Sequence, residues 1–497
     1  MERLRAVPIA SSSAATEAFK ITHPLLGGLA LHIHLISDLD AITPHLRQCP
    51  VDLLIYDERG PGGIEAQTAL TKVAKDVKAF AELWGPDFLF PMSRAVAILA
   101  SEHNHVQRTF HLGRIQVRDV CVAPKYTAQI LRWIQKILRG GIIREQKVGM
   151  ALSGGGLEGF LFQIGVLHAL NVGLTGRSMQ SVEVFTGISS GSIAAALMAG
   201  KVPTAEVIRA LHGKSGILDP LKSSTLYDVA GKNIASRIAR QSLNWTGLDP
   251  MKLVRNVMQG IPTGFFKGDA LKNYFKHALE AYGNTDRFDS LESNLYIGAT
   301  DQDTFEHVVF GSENWRDVSI SEALRASCAL PPFFVPTVIR DRWFVDGQIT
   351  KTCNLQLAVQ RGCHLIIIID PLKPLGTAVP GSVDRQGGVY AMIQTIKALV
   401  YTRFQSALTH VTETYPEVDF LVFQPDEECA QLMAGSPMRY RIRTQLIELA
   451  YRHTLRQLRE RHLVYSAKFS KYGFQLRPPD DLMELEKSYE DIVASVA

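Results

Sequence analysis

The chain has 497 residues, of which 46% are hydrophobic and 21% charged. This length and composition suit two to four domains with buried cores and exclude a peptide, a fibre or a wholly disordered chain. The 53 Lys and Arg exceed the 49 Asp and Glu by a net charge of +4, which is too small to demand a nucleic-acid partner.

The six cysteines are scattered and form no CxxC pair, so neither a disulfide scaffold nor a zinc site is expected, and a reducing compartment fits best. The N-terminal sequence MERLRAVPIASSSAATEAFKITHP lacks the unbroken apolar segment of a secretory signal. The longest strongly apolar run, LIIIID ending at Asp370, is far shorter than the roughly 18 to 20 residues that span a bilayer. We therefore expect a soluble cytoplasmic protein that is able to lie on a membrane surface.

Residues 1 to about 145 alternate short apolar runs with helical sequence. The runs LRAVPIA, LALHIHLIS, VDLLIYDE, RAVAILA and RIQVRDVCVAP are typical of strands, and YTAQILRWIQKIL is typical of a helix. Five strands with intervening helices predict a small (βα)5 domain with a parallel sheet. The pair Gly140-Gly141 marks its predicted boundary.

Asp57 ends one of these predicted strands just before a Pro-Gly turn, in the sequence PVDLLIYDERGPGG. In this respect the segment resembles a response-regulator receiver domain, whose phosphoacceptor is such an aspartate. The acidic pair that receivers carry after the first strand is replaced here by serines at 11–13, and Ala123 stands where the Lys before a Pro is expected. The resemblance thus implies a pseudo-receiver in which Asp57 is not phosphorylated and which binds a regulatory protein or small-molecule signal. The alternative interpretation, which we favour for Asp57 itself, is an aspartate at a strand end beside a turn.

Residues 147–375 show the pattern of a larger α/β unit. KVGMALS, SVEVFTG, LYIGATD, EHVVF, FVDG and HLIIIID are predicted strands. GGGLEGFLFQIGVLHAL and SSGSIAAALMAG are predicted helices that directly follow the first two strands, and SISEALRASCALPPFFVP is a helix ended by a double proline.

Residues 376–497 begin with a Pro- and Gly-rich loop and continue as a mainly helical, basic region. Helical sequence is expected over about 390–410 and 438–471, with the strand VDFLVFQP between them. The second helical stretch carries a mainly apolar stripe at i+3 and i+4 spacing, which is either membrane-facing or, in the interpretation that we favour, packed on the preceding domain. The stripe comprises Ile447, Tyr451, Leu455, Leu458, His462, Tyr465 and Phe469.

The sequence Gly187-Ile188-Ser189-Ser190-Gly191 matches GxSxG between a predicted strand and a predicted helix. At such an elbow the serine occupies a tight turn, and the glycines remove Cβ atoms that would clash there. Ser189 is therefore the candidate nucleophile, with Gly187 and Gly191 shaping the elbow.

A glycine-rich turn, SGGGLEG at 153–159, precedes the first helix of this unit and also matches GxGxxG. A dinucleotide site would need an acidic residue at the end of the next strand, but Glu183 lies near the start of that strand. The alternative is that successive backbone N–H groups at a helix start hold an oxyanion. The candidate residues for this oxyanion hole are Gly154, Gly155, Gly156, Leu157 and Gly159.

Asp346-Gly347 ends the predicted strand WFVDG. An isolated Asp-Gly is most often a β-turn, but a carboxylate brought within hydrogen-bond reach of a serine can orient and deprotonate it. Asp346 is therefore the candidate base.

These three motifs, in this order, resemble the patatin-like phospholipase family over about residues 147–370. The resemblance implies a three-layer α/β/α catalytic domain with a Ser189–Asp346 dyad, an Asp loop of Gly347 and Gln348, and Asn354 bracing that loop. Two positions depart from the family pattern. Glu158 stands where Arg or Lys is frequent, which is expected to weaken attraction for an anionic head group, and Gln348 stands where Gly or Ala is usual.

The implied activity is hydrolysis of lipid carboxylic esters through an acyl-enzyme, of phospholipase A or lysophospholipase type, at a membrane surface. No metal, organic cofactor or nucleic acid is expected to take part. Two alternatives remain open: a non-catalytic regulatory scaffold, and an α/β-hydrolase esterase with a Ser-His-Asp triad. The histidines available for a triad are His364, His410, His453 and His462.

Several other residues receive structural interpretations. His168 is expected to pack on its helix, and the acidic run 426–428 to form a solvated turn. Trp343, Phe333 and Phe334 are apolar residues near the expected site, which suits either core packing or the lining of an acyl pocket.

Overall fold

The computed structural model describes residues 147–230, 263–374, 387–434 and 438–487, with shorter stretches before residue 125 and a few isolated positions. The helix predicted at 126–138, the double glycine at 140–141, the serines at 11–13, Ala123 and nearly all of the loop at 375–386 lie outside the described residues. The chain divides into two compact units, one of residues 1–146 with 409–419 and 463–468, and the other of the remaining residues.

The described part of the first unit contains two three-stranded sheets. One is antiparallel and consists of β1 (Arg5–Ile9), β2 (Thr16–Thr22) and β3 (Ala30–Ile36). The other is parallel and consists of β4 (Leu54–Asp57), β5 (Ala95–Leu99) and β6 (Asp119–Val122), with helix α1 (Ala66–Trp84) between its first two strands.

The prediction of a single five-stranded parallel sheet is wrong for its first two strands. All five predicted strands form, but β1 and β3 both pair with β2, which the sequence analysis missed. Only residues 10–15 and 23–29 connect these three strands, and such short links suit antiparallel pairs because a parallel crossover needs a dozen or more residues. The mixed α/β class is confirmed.

The second unit is built on an eight-stranded sheet whose central strands are parallel. Its strands are β7 (Lys147–Leu152), β9 (Val184–Ile188), β10 (Asn294–Asp301), β11 (His307–Phe310), β12 (Thr337–Ile339), β13 (Arg342–Asp346), β14 (Cys363–Ile369) and β15 (Asp419–Phe423). Seven of them follow the order β12-β13-β10-β9-β7-β14-β15, and β11 pairs with β10. β10, β9, β7 and β14 run parallel, whereas β11 and β13 are antiparallel to β10. A separate antiparallel pair is formed by β8 (Leu174–Gly176) and β16 (Phe474–Leu476).

Helices follow most of these strands, and the two that start at the glycine motifs are almost wholly buried. In chain order they are α2 (Gly156–Gly173), α3 (Ser190–Ala199), α4 (Thr204–Leu211), α5 (Ser223–Leu226), α6 (Asp269–Ala281), α7 (Ile320–Ser327), α8 (Leu355–Gln360), α9 (Gly388–Thr414), α10 (Glu427–Leu432), α11 (Arg443–Glu460), α12 (His462–Ser470) and α13 (Pro479–Lys487). Among the described residues, no helix is both long and apolar enough to cross a membrane.

The basic C-terminal stretch is two helices, because α11 ends at Glu460 and α12 begins at His462. Six residues of its apolar stripe are almost fully buried, and only His462 is half-buried. α11 packs closely on α2: a Cβ added at Gly165 would lie 2.7 Å from the Cβ of Ala450. The stripe is therefore part of the core and does not face a membrane.

Candidate active site

Strand register brings the three sequence motifs to one edge of the central sheet. Leu152 at the end of β7 pairs with Gly187 of β9, and Ile188 pairs with Gly298 of β10. The next residue of β10, Ala299, pairs with Asp346 at the end of β13. The three motifs therefore begin at neighbouring positions along one edge of the sheet: the glycine-rich turn, the serine elbow and the Asp loop.

Ser189 occupies the tight turn between β9 and α3. Its φ of 54° is rare for a residue with a side chain, and such strain is typical of a functional site. The Ser189 N–H donates to Ser327 Oγ at 2.8 Å, and the Ser327 hydroxyl donates to the Gly298 carbonyl at 2.6 Å. This relay holds the elbow on the sheet, and Ser327 was not singled out from the sequence because it comes from a distant helix.

The Asp346 carboxyl group is fully buried beside this elbow. Its Oδ1 accepts a hydrogen bond from the Gln348 N–H at 2.9 Å, whereas its buried Oδ2 has no hydrogen-bond partner among the described residues. Burial raises the pKa of Asp346 to about 7, although the nearby Ser189 hydroxyl and the hydrogen bond from the Gln348 N–H act in the opposite direction. A carboxylate of this pKa is a competent proton acceptor near neutral pH.

The glycine-rich turn lies directly against Ser189. A Cβ added at Gly154 would lie 2.6 Å from Gln348 Oε1 and 2.7 Å from Ser189 Cβ. The turn leads into α2, whose first helical hydrogen bond runs from the Gly159 N–H to the Gly155 carbonyl. Backbone N–H groups at such a helix start have no partner within the helix and attract negative charge.

The structure does not support the dinucleotide alternative for this turn. Glu183 precedes β9, and its Oε2 accepts the Val148 N–H at 2.8 Å while its Oε1 accepts Arg177 Nη2 at 2.5 Å. Both carboxylate oxygens of Glu183 are therefore already hydrogen-bonded. In addition, Glu183 lies at the opposite end of the strand from the position that a contact with a ribose requires.

A buried carboxyl group that the sequence analysis did not assign to the site braces the glycine-rich turn. Asp370 Oδ1 accepts the Ser153 hydroxyl at 2.5 Å, and its Oδ2 accepts Gln424 Nε2 at 2.9 Å. The next residue, Pro371, packs on the turn, because a Cβ at Gly155 would lie 2.7 Å from Pro371 Cγ. The available signal was a carboxylate directly after the longest strongly apolar run of the chain.

Replacing Ser153 by Ala is expected to lower kcat about tenfold with little change in KM, because a lost charge-assisted hydrogen bond frees the turn that carries the N–H donors. Steady-state kinetics on a monomeric ester measure this effect. The matched control is Ser293→Ala, which removes another buried hydroxyl that donates to a carbonyl, that of Val182 at 2.7 Å. Equal kcat values for the two variants would contradict the role of Ser153.

The Asp loop is held from its other side by a chain of polar side chains. His307 Nε2 lies 3.0 Å from Asn354 Oδ1, and His307 Nδ1 lies 2.8 Å from Thr350 Oγ1. Thr350 Oγ1 also lies 2.8 Å from Thr300 Oγ1. Burial lowers the pKa of His307 to about 4, so this histidine is neutral at physiological pH and acts as a structural link.

Glu158 is buried in the first turn of α2 and does not line the pocket described below. Its Oε1 accepts Arg439 Nε at 2.7 Å, and the charge of Lys397 also acts on it. Burial raises the pKa of Glu158 to about 7 against the opposing effect of these two cations. Arg439 therefore compensates the negative charge of Glu158. This ion pair offsets the repulsion of an anionic head group that the sequence led us to expect.

An apolar pocket opens beside Ser189, and the space within it, including its open mouth, is about 600 Å³. Gly156, Leu157 and Ser189 form one wall. The remaining wall is mainly aromatic and aliphatic, and includes Phe160, Leu226, Leu271, Phe275, Phe333, Phe334 and Met438. Phe333 and Phe334 therefore line the pocket, whereas Trp343 is about half exposed and does not.

The other candidate residues lie away from this centre. His168 is buried, with its Nδ1 3.0 Å from Thr204 Oγ1, and burial lowers its pKa to about 4. The expectation of a solvated turn at 426–428 is wrong for Asp426, which accepts the Cys429 N–H at 2.9 Å as the cap of α10 and pairs with His453 at 3.0 Å. Helix capping and the contact with His453 together hold this acidic residue half-buried.

Residues 150–359 match the family model described as patatin-like phospholipase. Among solved structures, the chain is similar to VipD from Legionella pneumophila, with 13% identity, a TM-score of 0.25 and coverage of 71% of this chain and 80% of that one. It is also similar to the type III effector ExoU, which occurs in Pseudomonas aeruginosa, with 14% identity, a TM-score of 0.27 and coverage of 71% and 61%. Human GIVD cytosolic phospholipase A2 has 12% identity, a TM-score of 0.25 and coverage of 71% and 60%.

The family match over residues 150–359 shows that the chain carries a patatin-like phospholipase domain, the domain of an ester-hydrolysing enzyme.

Proposed function

We propose that the chain cleaves lipid carboxylic esters through an acyl-enzyme formed on Ser189, with Asp346 as the base. The observation that carries this proposal is the buried Asp346 carboxylate at the serine elbow: its Oδ2 has no hydrogen-bond partner among the described residues, and the Ser189 hydroxyl is near enough to lower its pKa. It is supported by the glycine-rich turn that lies against Ser189 and by the apolar pocket that opens beside it.

In the acylation step, Asp346 accepts the proton of the Ser189 hydroxyl as Oγ attacks the ester carbonyl carbon. The tetrahedral intermediate collapses, the bond to the alcohol oxygen breaks, and the leaving alcohol takes the proton from Asp346. In the second step Asp346 accepts a proton from water, the resulting hydroxide attacks the acyl-enzyme, and Ser189 is released with its proton restored. The products are a free fatty acid and the alcohol part of the lipid, and the route uses no metal or organic cofactor.

Backbone N–H groups of Gly155, Gly156 and Leu157 are the proposed donors to the oxyanion. The positive end of the 18-residue helix α2 adds to their effect, and donors placed in advance at a developing charge are often worth a few kcal/mol. Gly154 and Gly159 allow the close approach of Ser189 and Pro371 that this arrangement needs.

The apolar pocket suits an acyl chain, so we propose a phospholipase A or lysophospholipase type of substrate. Residues 147–375 are proposed as the catalytic domain, with residues 376–497 as an integral basic extension. Residues 1–145 are proposed as a regulatory or localising domain that binds a protein or small-molecule signal. The enzyme is proposed to be cytoplasmic and to work on membrane surfaces.

A fluorophosphonate probe tests the nucleophile. The wild-type protein and Ser190→Ala are expected to be labelled, and Ser189→Ala is expected to stay unlabelled. Ser190 is the matched control because it is the neighbouring serine and also lines the pocket. An unlabelled wild-type protein would favour the non-catalytic scaffold, and labelling that persists in Ser189→Ala would contradict the assignment of Ser189.

The triad alternative has weaker support in the described part of the chain. His453 pairs with Asp426, and His462 Nε2 lies 2.9 Å from the Arg477 carbonyl. Neither histidine is therefore oriented by the carboxylate that a triad with Asp346 would use.

A further inference from the structure

Helix α9 presents a narrow apolar stripe to solvent, separate from the face that it buries. Met392, Ile396 and Leu399 follow one another at i+4 and i+3 spacing and are 43%, 37% and 60% exposed. The buried face of the same helix uses other positions, namely Ile393, Val400, Phe404 and Leu408. Large aliphatic side chains on one side of a helix, outside its packed face, are typical of a contact surface.

This stripe continues into the Asp loop of the active site. Arg403, four residues beyond Leu399, donates Nη1 to the Ile349 carbonyl at 3.1 Å and Nη2 to the Gln348 carbonyl at 3.3 Å. Ile349 itself is 41% exposed, and it lies three residues after Asp346. The four exposed side chains Met392, Ile396, Leu399 and Ile349, called the α9 stripe below, therefore extend from the helix to the catalytic loop.

The opposite flank of α9 is fastened to the protein. Tyr390 donates its hydroxyl to the Ala434 carbonyl at 2.9 Å, Gln394 Nε2 donates to the same carbonyl at 3.2 Å, and Lys397 Nζ donates to the Met433 carbonyl at 3.0 Å. These bonds fix the rotation of the helix, so the α9 stripe is held outward by the fold.

We propose that the α9 stripe is the surface by which the enzyme rests on a lipid bilayer while it takes its substrate. This inference depends on the proposed lipid hydrolase function for its purpose. Two observations favour lipid over a protein partner. The stripe is continuous with the loop that carries Asp346, where a bilayer has to come close for an acyl chain to enter the pocket. Furthermore, residues 388–412 include Lys397 and Arg403 but no Asp or Glu, so no carboxylate on this segment repels anionic head groups.

The stripe also differs from the surface that the sequence favoured as the membrane-facing alternative. The apolar residues of α11 and α12 are buried, as described above, whereas those of α9 are exposed. A surface binding mode through α9 requires only a few apolar side chains to enter the interface and no spanning helix.

The test compares the double variant Ile396→Glu/Leu399→Glu with Leu463→Glu. Leu463 is the matched control because it is also a helical leucine, 58% exposed, but belongs to α12. Binding is measured by co-sedimentation with vesicles of phosphatidylcholine and phosphatidylglycerol, in a Ser189→Ala background that prevents hydrolysis. The double variant is expected to bind about tenfold more weakly or worse, and the control is expected to bind as Ser189→Ala alone does.

A second measurement separates this inference from the proposed function. The ratio of activity on vesicles to activity on a monomeric short-chain ester is expected to fall about tenfold in the double variant relative to Leu463→Glu. Equal vesicle binding by the double variant and the control would overturn the lipid assignment and leave the α9 stripe to a protein partner. If the wild-type protein showed no ester hydrolysis beyond that of Ser189→Ala, the proposed function would be overturned instead. The binding comparison would still decide the role of the α9 stripe.

Discussion

Fatty-acid release from lipid vesicles is expected to fall roughly a thousandfold when Asp346 is replaced by Asn, because the amide cannot accept the Ser189 proton. Asn keeps the size of the side chain and an oxygen that can accept the Gln348 N–H, which Asp346 Oδ1 accepts at 2.9 Å. The measurement compares release from phospholipid, lysophospholipid and triacylglycerol vesicles for the wild-type protein and the variant. It also reports which lipid class is the substrate. Near-normal release by the variant would exclude the dyad.

The wild-type pH profile follows from the same carboxyl group. Asp346 has to be ionised to act as a base, and its pKa is raised to about 7 mainly by burial. The rate is therefore expected to increase with pH up to about 7 and to level off above it, falling about tenfold per unit at more acidic pH. A profile that is flat between pH 5 and 8 would contradict Asp346 as the base.

Thermal unfolding tests whether the Asp346→Asn variant still folds. A carboxyl group whose pKa is higher in the folded than in the unfolded protein binds its proton more tightly when folded. Its contribution to stability is present at acidic pH and is lost as the pH rises from its ordinary pKa of 3.8 to about 7. Asp346→Asn removes this cost and is expected to unfold at a higher temperature than the wild-type protein at pH 8, with little difference at pH 4. If the variant is inactive but more stable, it has lost its proposed base while keeping its fold.

Replacing Gly154 by Ala is expected to lower kcat roughly a hundredfold. The new Cβ would lie 2.6 Å from Gln348 Oε1 and 2.7 Å from Ser189 Cβ, so either the turn or Ser189 has to move. Such a displacement takes the N–H donors out of line with the oxyanion, and loss of one donor costs about 10²–10³ in kcat. Burst kinetics with a chromogenic ester measure the acylation rate directly.

Gly388→Ala is the matched control for this substitution. Gly388 begins α9, and a Cβ there would meet no atom within 4 Å. Its kcat is expected to equal that of the wild-type protein. If Gly154→Ala behaves in the same way as this control, the close approach of the turn to Ser189 has no catalytic role.

The residues proposed for the reaction could be predicted from sequence because each lies in a local pattern. A strand, a glycine-flanked serine and a helix identify Ser189, and a short strand before Asp-Gly identifies Asp346. The residues that hold them in place could not be predicted in this way. Asp370 reaches Ser153 across 217 residues of sequence, and Arg439 reaches Glu158 across 281. Such partners depend on the three-dimensional course of the chain and leave no local spacing to detect.

The same distinction explains the error in the first unit. Hydropathy found β1 and β3, but it could not assign their partner because β2, TEAFKIT, alternates polar and apolar residues without a strong apolar run. It also found an amphipathic stripe on α11 and α12, but hydropathy does not distinguish burial inside the protein from burial in a membrane. The close packing of α11 at Gly165 and the burial of Tyr465 and Phe469 in α12 decide between them.

The contact between Glu158 and Arg439 has a consequence for how the enzyme is made. A ribosome synthesises the chain from its N-terminus, so Ser189 and Asp346 emerge well before Asp370, Gln424, Arg439 and the pocket residue Met438. A nascent chain that ends at the family-matched region has both proposed reacting groups but lacks the braces of its glycine-rich turn. We therefore expect a growing polypeptide to hydrolyse lipids only after the residues up to Arg439 have been synthesised and have folded onto the glycine-rich turn.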